Sequence, residues 1–94
     1  MTAYVIAEVD VTDPETYKAY QALTPGSIAR HGGRIIVRGG DTQSLEGAPP
    51  KRIVVVEFES MEAARRWYHS RDYGEARALR EKAATTRLYF VDGA

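Results

Sequence analysis

The sequence predicts a single α+β domain with the element order β-α-β-β-α-β, and three observations support this fold class. The 94 residues suffice for one hydrophobic core but are too few for two. Four alternating or β-branched apolar runs indicate strands, and stretches of helical apolar spacing separate the first from the second and the third from the fourth. The fractions of 44% hydrophobic and 28% charged residues are those of a folded protein.

The composition excludes several classes of function. The sequence has no cysteine, which excludes disulfides, thiolate metal sites, iron–sulfur clusters and thiol nucleophiles. Thirteen Lys and Arg residues balance thirteen Asp and Glu residues, so there is no global field to hold nucleic acid or an anionic membrane. No apolar run is long enough to span a membrane, and the N-terminal segment lacks the features of a secretion signal. We therefore expect a cytoplasmic protein without nucleic-acid or membrane partners.

The first strand is predicted over residues 4–11, where alternate valines form one face. A helix is predicted to start near residue 13, because Thr12 or Asp13 can cap it and Pro14 suits its first turn. It extends to about His31, and the Pro25-Gly26 pair predicts that it is kinked or in two pieces.

The second strand follows the Gly32-Gly33 turn and reads RIIVRG. Simple alternation places Arg34, Ile36 and Arg38 on one of its faces and Ile35 and Val37 on the other. Residues 39–51 are rich in glycine and proline and are predicted to form a loop.

The third strand, residues 52–58, is a nearly continuous β-branched run typical of a central strand. Ser60 can cap a helix over about 61–69, and Asp72 can cap a further helical piece that ends near Ala83. The segment TRLYFV then forms the fourth strand.

Two right-handed β-α-β crossovers place both helical segments on one face of a four-stranded antiparallel sheet, which is a ferredoxin-like sandwich. The opposite face is then apolar with embedded charges, and its predicted members are Tyr4, Ile6, Glu8, Asp10, Ile53, Val55 and Glu57. Exposed apolar patches of this kind mark interaction surfaces, so we expect a homodimer related by a two-fold axis.

Glu8 and Glu57 lie on neighbouring central strands of that face, and Arg38 or Arg34 can join them from the second strand. Carboxylates in a partly dry cavity have raised pKa values, and a guanidinium nearby can orient an anionic or carbonyl ligand. This is our leading site hypothesis, although Arg38 reaches the site only if the strand register places it there. The competing interpretation is a structural ion pair at the dimer seam.

The helices carry further candidate residues. Tyr20, Tyr68 and Tyr73 could direct hydroxyl groups toward a ligand, although aromatic residues at helical spacing most often fill the core. Arg80 lies on the apolar stripe of the last helix, where a buried guanidinium needs a carboxylate, a carbonyl or a bound anion. It therefore either holds that helix in place or binds ligand.

Other kinds of site have weak support. His31 and His69 lie near predicted helix ends and form no recognisable metal motif, so we predict no metal site and keep haem binding as an alternative. No serine lies in a GxSxG motif, and no glycine-rich stretch has the ending of a phosphate-binding loop. The third strand also lacks the aromatic platform of an RNA-binding sheet.

The stretches DPETYKAY, GGRIIVRGG, LEG and RIVVVEFESMEAARRWYHSRDYGEARALR together resemble a family of short bacterial proteins known as domain of unknown function 1330. The resemblance covers almost the whole chain, and the pattern from Trp67 to Arg80 is its most distinctive part. Arg71 stands where proline commonly follows the serine. The matching positions are Tyr17, Tyr20, Gly33, Arg38, Gly39, Glu57, Ser60, Ser70, Tyr73 and Arg80.

The resemblance implies membership of the dimeric α+β barrel superfamily, in which two ferredoxin-like sheets pack face to face. That superfamily includes cofactor-independent monooxygenases, lactone isomerases, haem enzymes and non-catalytic ligand-binding domains, so it does not determine function. The family has no established catalytic residues that could be transferred to this chain.

Together, these features predict a domain that binds or transforms a small organic molecule without a cofactor, in a pocket between sheet, helices and partner. As an enzyme it would resemble a monooxygenase or isomerase; the alternative is a non-catalytic dimeric module. Arg38 would anchor the ligand, Glu57 would act as base, and Tyr73 or Tyr20 would donate a hydrogen bond. The remaining candidate ligand-binding residues are Glu8, Tyr68, Ser70 and Arg80.

Overall fold

A computed structural model describes residues 1–94 and contains four strands and three helices. The elements are β1 (Ala3–Val11), α1 (Pro14–Arg30), β2 (Arg34–Arg38), β3 (Arg52–Phe58), α2 (Met61–Tyr68), α3 (Arg71–Ala83) and β4 (Ala84–Asp92). The predicted β-α-β-β-α-β order is confirmed, including the division of the second helical segment into α2 and α3. None of the helices has the length and apolar character that crossing a membrane requires.

The four strands form one antiparallel sheet in the order β2-β3-β1-β4. Each helical crossover therefore joins two parallel strands that are separated by one antiparallel neighbour, as the ferredoxin-like arrangement requires. Strands β1 and β3 lie at the centre, which agrees with the β-branched run predicted for β3. Residues 39–51 contain no helix or strand, as predicted.

The sheet has an inner face that packs against the helices and an outer face that does not. Val5, Val56 and Phe58 on the inner face are only 2%, 4% and 1% exposed. The alternation predicted for β1 and β3 is therefore confirmed. The outer face is formed by Tyr4, Ile6, Glu8, Arg34, Val37, Ile53, Val55, Glu57, Arg87, Tyr89 and Val91, which the strand registers place side by side.

Aromatic side chains fill much of the space between the inner face and the helices. The ring of Trp67 lies 5.5 Å from that of Phe58 and 4.0 Å from that of Tyr73, measured between centroids. All three side chains are at most 2% exposed. Across the surface of the helical layer, the guanidinium of Arg30 on α1 pairs with the carboxylate of Asp72 on α3 at 2.8 Å. The helices therefore form one layer with a shared core.

Helix α1 begins as predicted but runs unbroken through Pro25, so the two-piece alternative is wrong. Asp13 caps the helix by accepting a hydrogen bond from the backbone N–H of Thr16. Proline has no N–H to offer the carbonyl of Gln21. The helix nevertheless continues to Arg30, and the hydroxyl of Thr24, the residue before the proline, donates to the carbonyl of Tyr20 at 2.7 Å.

The joint between α2 and α3 depends on Ser70 rather than on the predicted cap, Asp72. The Ser70 hydroxyl oxygen accepts from the backbone N–H of Tyr73 and donates to the carbonyl of Trp67 at 2.6 Å. A single side chain therefore bonds the end of one helix and the start of the next. Asp72 instead lies in the first turn of α3, where a carboxylate interacts favourably with the helix dipole.

Candidate functional site

A cavity of about 140 Å³ lies between the inner face of the sheet and helix α1. Its floor consists of apolar side chains from β1, β3 and β4, namely Val5, Ala7, Val9, Val54, Val56 and Leu88. Helix α1 covers it with Tyr17, Tyr20, Gln21, Thr24, Pro25 and Ile28. Trp67, Ile35, Arg38 and Arg80 complete the wall. An apolar cavity with a few convergent polar groups is the usual form of a small-molecule site.

Trp67 is fixed at the wall of the cavity by a hydrogen bond. Its indole N–H donates to the hydroxyl oxygen of Ser27 at 3.1 Å, and that hydroxyl donates to the carbonyl of Thr24 at 2.8 Å. Ser27 is completely buried. The position of Trp67 on the cavity was not predicted, because helical spacing does not distinguish a packed wall from an open one.

Tyr20 and Tyr73 form a hydroxyl pair beside the cavity, with their oxygens 2.9 Å apart. Tyr20 lines the cavity, whereas Tyr73 lies behind it and is 0% exposed. Burial, together with the neighbouring Tyr73, raises the pKa of Tyr20 far above its usual value, so this hydroxyl keeps its proton. When Tyr73 donates to Tyr20, the proton of Tyr20 is free to bond an acceptor in the cavity.

Arg80 reaches the cavity from α3 and is 7% exposed. Its Nε is buried without a hydrogen-bond partner, and the guanidinium takes part in none of the five ion pairs of the protein. The sequence correctly predicted a buried arginine at this position. No carboxylate of the chain holds it, which leaves its charge available to the cavity.

Arg38 also faces the cavity, because a β-bulge changes the register of β2. Arg34 pairs with Glu57 and Ile35 with Val56, but Val37 then pairs with Val55 and Arg38 with Val54. An extra residue in one strand reverses the alternation of faces beyond it. The expectation that Arg34 and Arg38 share a face is therefore wrong.

The predicted grouping of Arg38 with Glu57 and Glu8 does not form. Both glutamates lie on the outer face, with the sheet between them and the cavity. Glu57 accepts a hydrogen bond from the guanidinium of Arg34 at 2.8 Å, and Glu8 accepts one from the hydroxyl of Tyr89 at 2.8 Å. Arg34, which the sequence analysis named as the alternative partner, therefore occupies the position expected for Arg38.

Tyr68 and Ser70 lie outside the cavity. Tyr68 packs against Tyr73 and Phe90, with centroid separations of 5.8 Å and 6.0 Å, and Arg77 lies over its ring. Ser70 has the capping contacts described above. The residues that the structure brings to the cavity are therefore Tyr20, Arg38 and Arg80, with Tyr73 directly behind Tyr20.

The two histidines occupy helix ends, as predicted. His31 and His69 are the C-terminal caps of α1 and α2, and the His31 ring nitrogen Nδ1 lies 2.9 Å from the carbonyl oxygen of Ser27. No group of three or more histidine, aspartate or glutamate side chains is placed to share a metal ion. Neither histidine lines the cavity.

Comparison with known proteins gives a family and a fold. The profile of a family described as Domain of unknown function (DUF1330) matches residues 2–94. No curated protein matches the chain.

Solved structures agree with the ferredoxin-like fold. RPA0582, a protein of unknown function from Rhodopseudomonas palustris, superposes with a TM-score of 0.81 at 20% identity, covering 99% of this chain and 82% of its own. SnoaB, a cofactor-independent oxygenase from Streptomyces nogalater, gives 0.69 at 12% identity, covering 99% and 93%. A dimeric protein of unknown function and ferredoxin-like fold from Bacteroides fragilis gives 0.59 at 10% identity, covering 98% and 96%. At these identities the similarity shows the fold alone.

Proposed function

Because the chain belongs to the family described as Domain of unknown function (DUF1330), its function has to be inferred from its own site, and we propose that it binds and transforms a small organic molecule in the cavity beneath α1. The observation that carries this proposal is the cavity itself. Eleven of its sixteen lining residues are hydrophobic, with Tyr17 and Tyr20 counted among them, and the other five are Gln21, Thr24, Pro25, Arg38 and Arg80. Such a lining favours a ligand with an apolar body and a polar end.

Three polar groups of the cavity, those of Tyr20, Arg38 and Arg80, are suited to stabilise negative charge on a ligand oxygen. The Tyr20 hydroxyl is a neutral donor, and Arg38 at the rim supplies a positive charge. Donors and cations fixed at the place where an oxyanion develops lower the barrier of reactions that pass through one. We therefore propose chemistry of the cofactor-independent oxygenase or isomerase type. The fold shared with SnoaB is compatible with the first of these.

Glu57 is not part of this proposal, because its carboxylate lies across the sheet from the cavity and is paired with Arg34. No carboxylate or imidazole lines the cavity, so a proton removed from the ligand would have to pass to a water molecule. Tyr73 supports Tyr20 from behind and does not line the cavity, so we propose it as a positioning residue.

Filling the cavity should abolish ligand binding while leaving the fold intact. Ala7 is part of the cavity floor, so Ala7→Leu places additional methyl groups inside it. The screen would record thermal shift and the fluorescence of Trp67, the only tryptophan of the chain. A ligand at about 100 times its dissociation constant stabilises the wild type by about 2.7 kcal/mol. We expect that stabilisation to be absent in Ala7→Leu.

The control for this experiment is Ala22→Leu, which adds the same atoms at an exposed position of α1. It should bind ligand as the wild type does. The proposal is wrong if no small molecule shifts the wild type in a broad metabolite screen, or if Ala7→Leu binds the identified ligand unchanged.

We also propose that the outer face is covered by a second copy of the chain. Val37, Tyr89 and Val91 on this face are 37%, 42% and 43% exposed. The face carries both signs of charge, with Glu8 opposite Arg87 and Glu57 beside Arg34, so a two-fold axis can bring acidic groups of one copy near basic groups of the other. The dimeric ferredoxin-like neighbour from Bacteroides fragilis supports this assembly.

A charge at the centre of the outer face should convert the dimer into a monomer. Val55 pairs with Ile6 on one side and with Val37 on the other. Val55→Asp would bury an unpaired carboxylate in the interface, which is strongly unfavourable. Light scattering should give a dimer for the wild type and a monomer for Val55→Asp. Leu45→Asp, in a loop position that is 92% exposed, should remain dimeric. A monomeric wild type at high concentration would contradict this assembly.

A further inference from the structure

We propose that the ligand of the cavity is a small organic carboxylate, held by the guanidinium groups of Arg80 and Arg38. This inference rests on the proposed function and specifies the class of molecule that the cavity accepts. Its basis is the charge of the lining: two arginines contribute to it, and no aspartate or glutamate does.

Arg80 provides the strongest reason. A buried ion is stable only when a partner compensates its lost hydration, and the protein supplies no carboxylate to this one. The surrounding helix positions Ala76 and Ala83 are 0% exposed and offer no polar side chain. The unpartnered Nε lies on a side chain that lines the cavity. A bound carboxylate would supply the missing charge and acceptors.

Arg38 adds a second positive charge at the same cavity. Like Arg80, it takes part in none of the ion pairs of the protein, so no carboxylate of the chain compensates its charge. Arg38 is exposed and therefore lies at the rim, where it can meet an incoming anion before Arg80 does. Two guanidinium groups on one small cavity repel each other, and a bound anion relieves that repulsion.

The Tyr20 hydroxyl completes a set of donors suited to the two oxygens of a carboxylate. Its proton is retained because burial disfavours ionisation, so it donates and does not compete with an anionic ligand. A guanidinium can bond a carboxylate through two parallel N–H groups. One ligand group can therefore accept hydrogen bonds from Arg80 and from Tyr20.

The apolar remainder of the cavity limits the size of the ligand. Its volume of about 140 Å³ is close to that of an engineered cavity of about 150 Å³ that accepts benzene. Trp67, Tyr17 and Leu88 offer flat or branched apolar surfaces. The body of the carboxylate is therefore a single ring or a short branched chain.

Three probes test the assignment: benzoate, the neutral benzamide of the same size, and acetate, which has the same charge but no ring. Binding would be followed through Trp67 fluorescence, excited at the red edge of tryptophan absorption, and confirmed by calorimetry. We expect benzoate to bind at least about tenfold more tightly than neutral benzamide, as hydrogen bonds to a charged group imply. Acetate, which lacks the apolar body, should bind more weakly than benzoate. Raising the salt concentration should weaken benzoate binding more than benzamide binding.

Substitutions test whether the preference for benzoate depends on the two arginines. Arg80→Met should remove the preference for benzoate over benzamide, and Arg38→Gln should reduce it. Arg38 is exposed, so its replacement tests the proposal even if Arg80→Met fails to fold. Arg77→Gln changes an arginine of the same helix that does not line the cavity, and it should leave the preference unchanged.

The outcomes distinguish this inference from the proposed function. If benzamide binds as tightly as benzoate and Ala7→Leu blocks both, the cavity binds small molecules but the carboxylate assignment is wrong. If none of the probes binds and a broad metabolite screen also finds no ligand, both proposals are wrong. A benzoate preference that survives both Arg80→Met and Arg38→Gln would likewise overturn the assignment.

Discussion

Replacing Arg80 by methionine should raise the free energy of unfolding of the ligand-free protein by about 1–4 kcal/mol, the gain found in favourable cases when a buried ion pair is replaced by well-packed apolar residues. The methionine side chain follows a similar path along α3 and carries no charge to desolvate. Arg80 has a buried Nε without a partner and no ion pair, so its removal breaks no strong interaction. Thermal and urea denaturation would measure the change.

Arg77 provides the matched control on the same helix. Its guanidinium carbon lies 4.8 Å from the centroid of the Tyr68 ring, a favourable cation–π contact. Arg77→Met should therefore lower the free energy of unfolding by about 0.5–1 kcal/mol. The two substitutions remove the same charge from one helix and are expected to act in opposite directions.

This experiment separates the two roles that the sequence left open for Arg80. If the residue holds α3 in place, Arg80→Met destabilises the protein, because a structural interaction is lost. If the residue serves a ligand, the substitution stabilises the protein and removes the affinity for the anion. A stability cost retained for the sake of binding is common at functional sites. A clear loss of stability in Arg80→Met would contradict the ligand-binding role.

Much of the fold could be predicted because β1 and β3 contain no bulge, so successive side chains of each strand point to opposite faces of the sheet. Burial of one face sets the direction of every side chain in such a strand, so Glu8 and Glu57 were correctly placed on the outer face. The order of the elements then determined which strands lie at the centre. The two glutamates could be located from the sequence, and Arg34 was one of the two arginines named as a partner, but the bond from Tyr89 to Glu8 was not predicted.

Strand β2 shows where sequence reasoning stops. The segment RIIVR is compatible with either set of alternate side chains facing the helices. Nothing in these five residues indicates the bulge between Ile35 and Val37. Because of this one extra residue, the side chain of Arg38 points toward the cavity and not toward the outer face. The cavity itself was also unpredictable, because it depends on the spacing between α1 and the sheet. Arg80 was found because its position on the stripe could be read from helical periodicity alone.

Gly33→Ala should lower the free energy of unfolding by about 3 kcal/mol, at the upper end of the usual cost of overpacking. A Cβ atom at this position would lie 2.6 Å from the ring of Phe58 and 2.8 Å from Cγ2 of Ile28. Both neighbours are core residues, 1% and 2% exposed, and cannot move into solvent. The turn after α1 therefore needs glycine here for close approach to the core.

Gly74→Ala is the matched control, because a Cβ at this position meets no atom within 4 Å. Gly74 lies inside α3, where alanine is the better helix former, so this substitution should stabilise the protein by about 0.5–1 kcal/mol. Gly33→Ala should also disturb the cavity, since Ile28 lines it and Phe58 packs against Trp67. Denaturation followed by Trp67 fluorescence would show a lower midpoint and an altered native spectrum for Gly33→Ala alone. Equal stability of the two variants would contradict the close contact, and with it the dependence of the cavity wall on this turn.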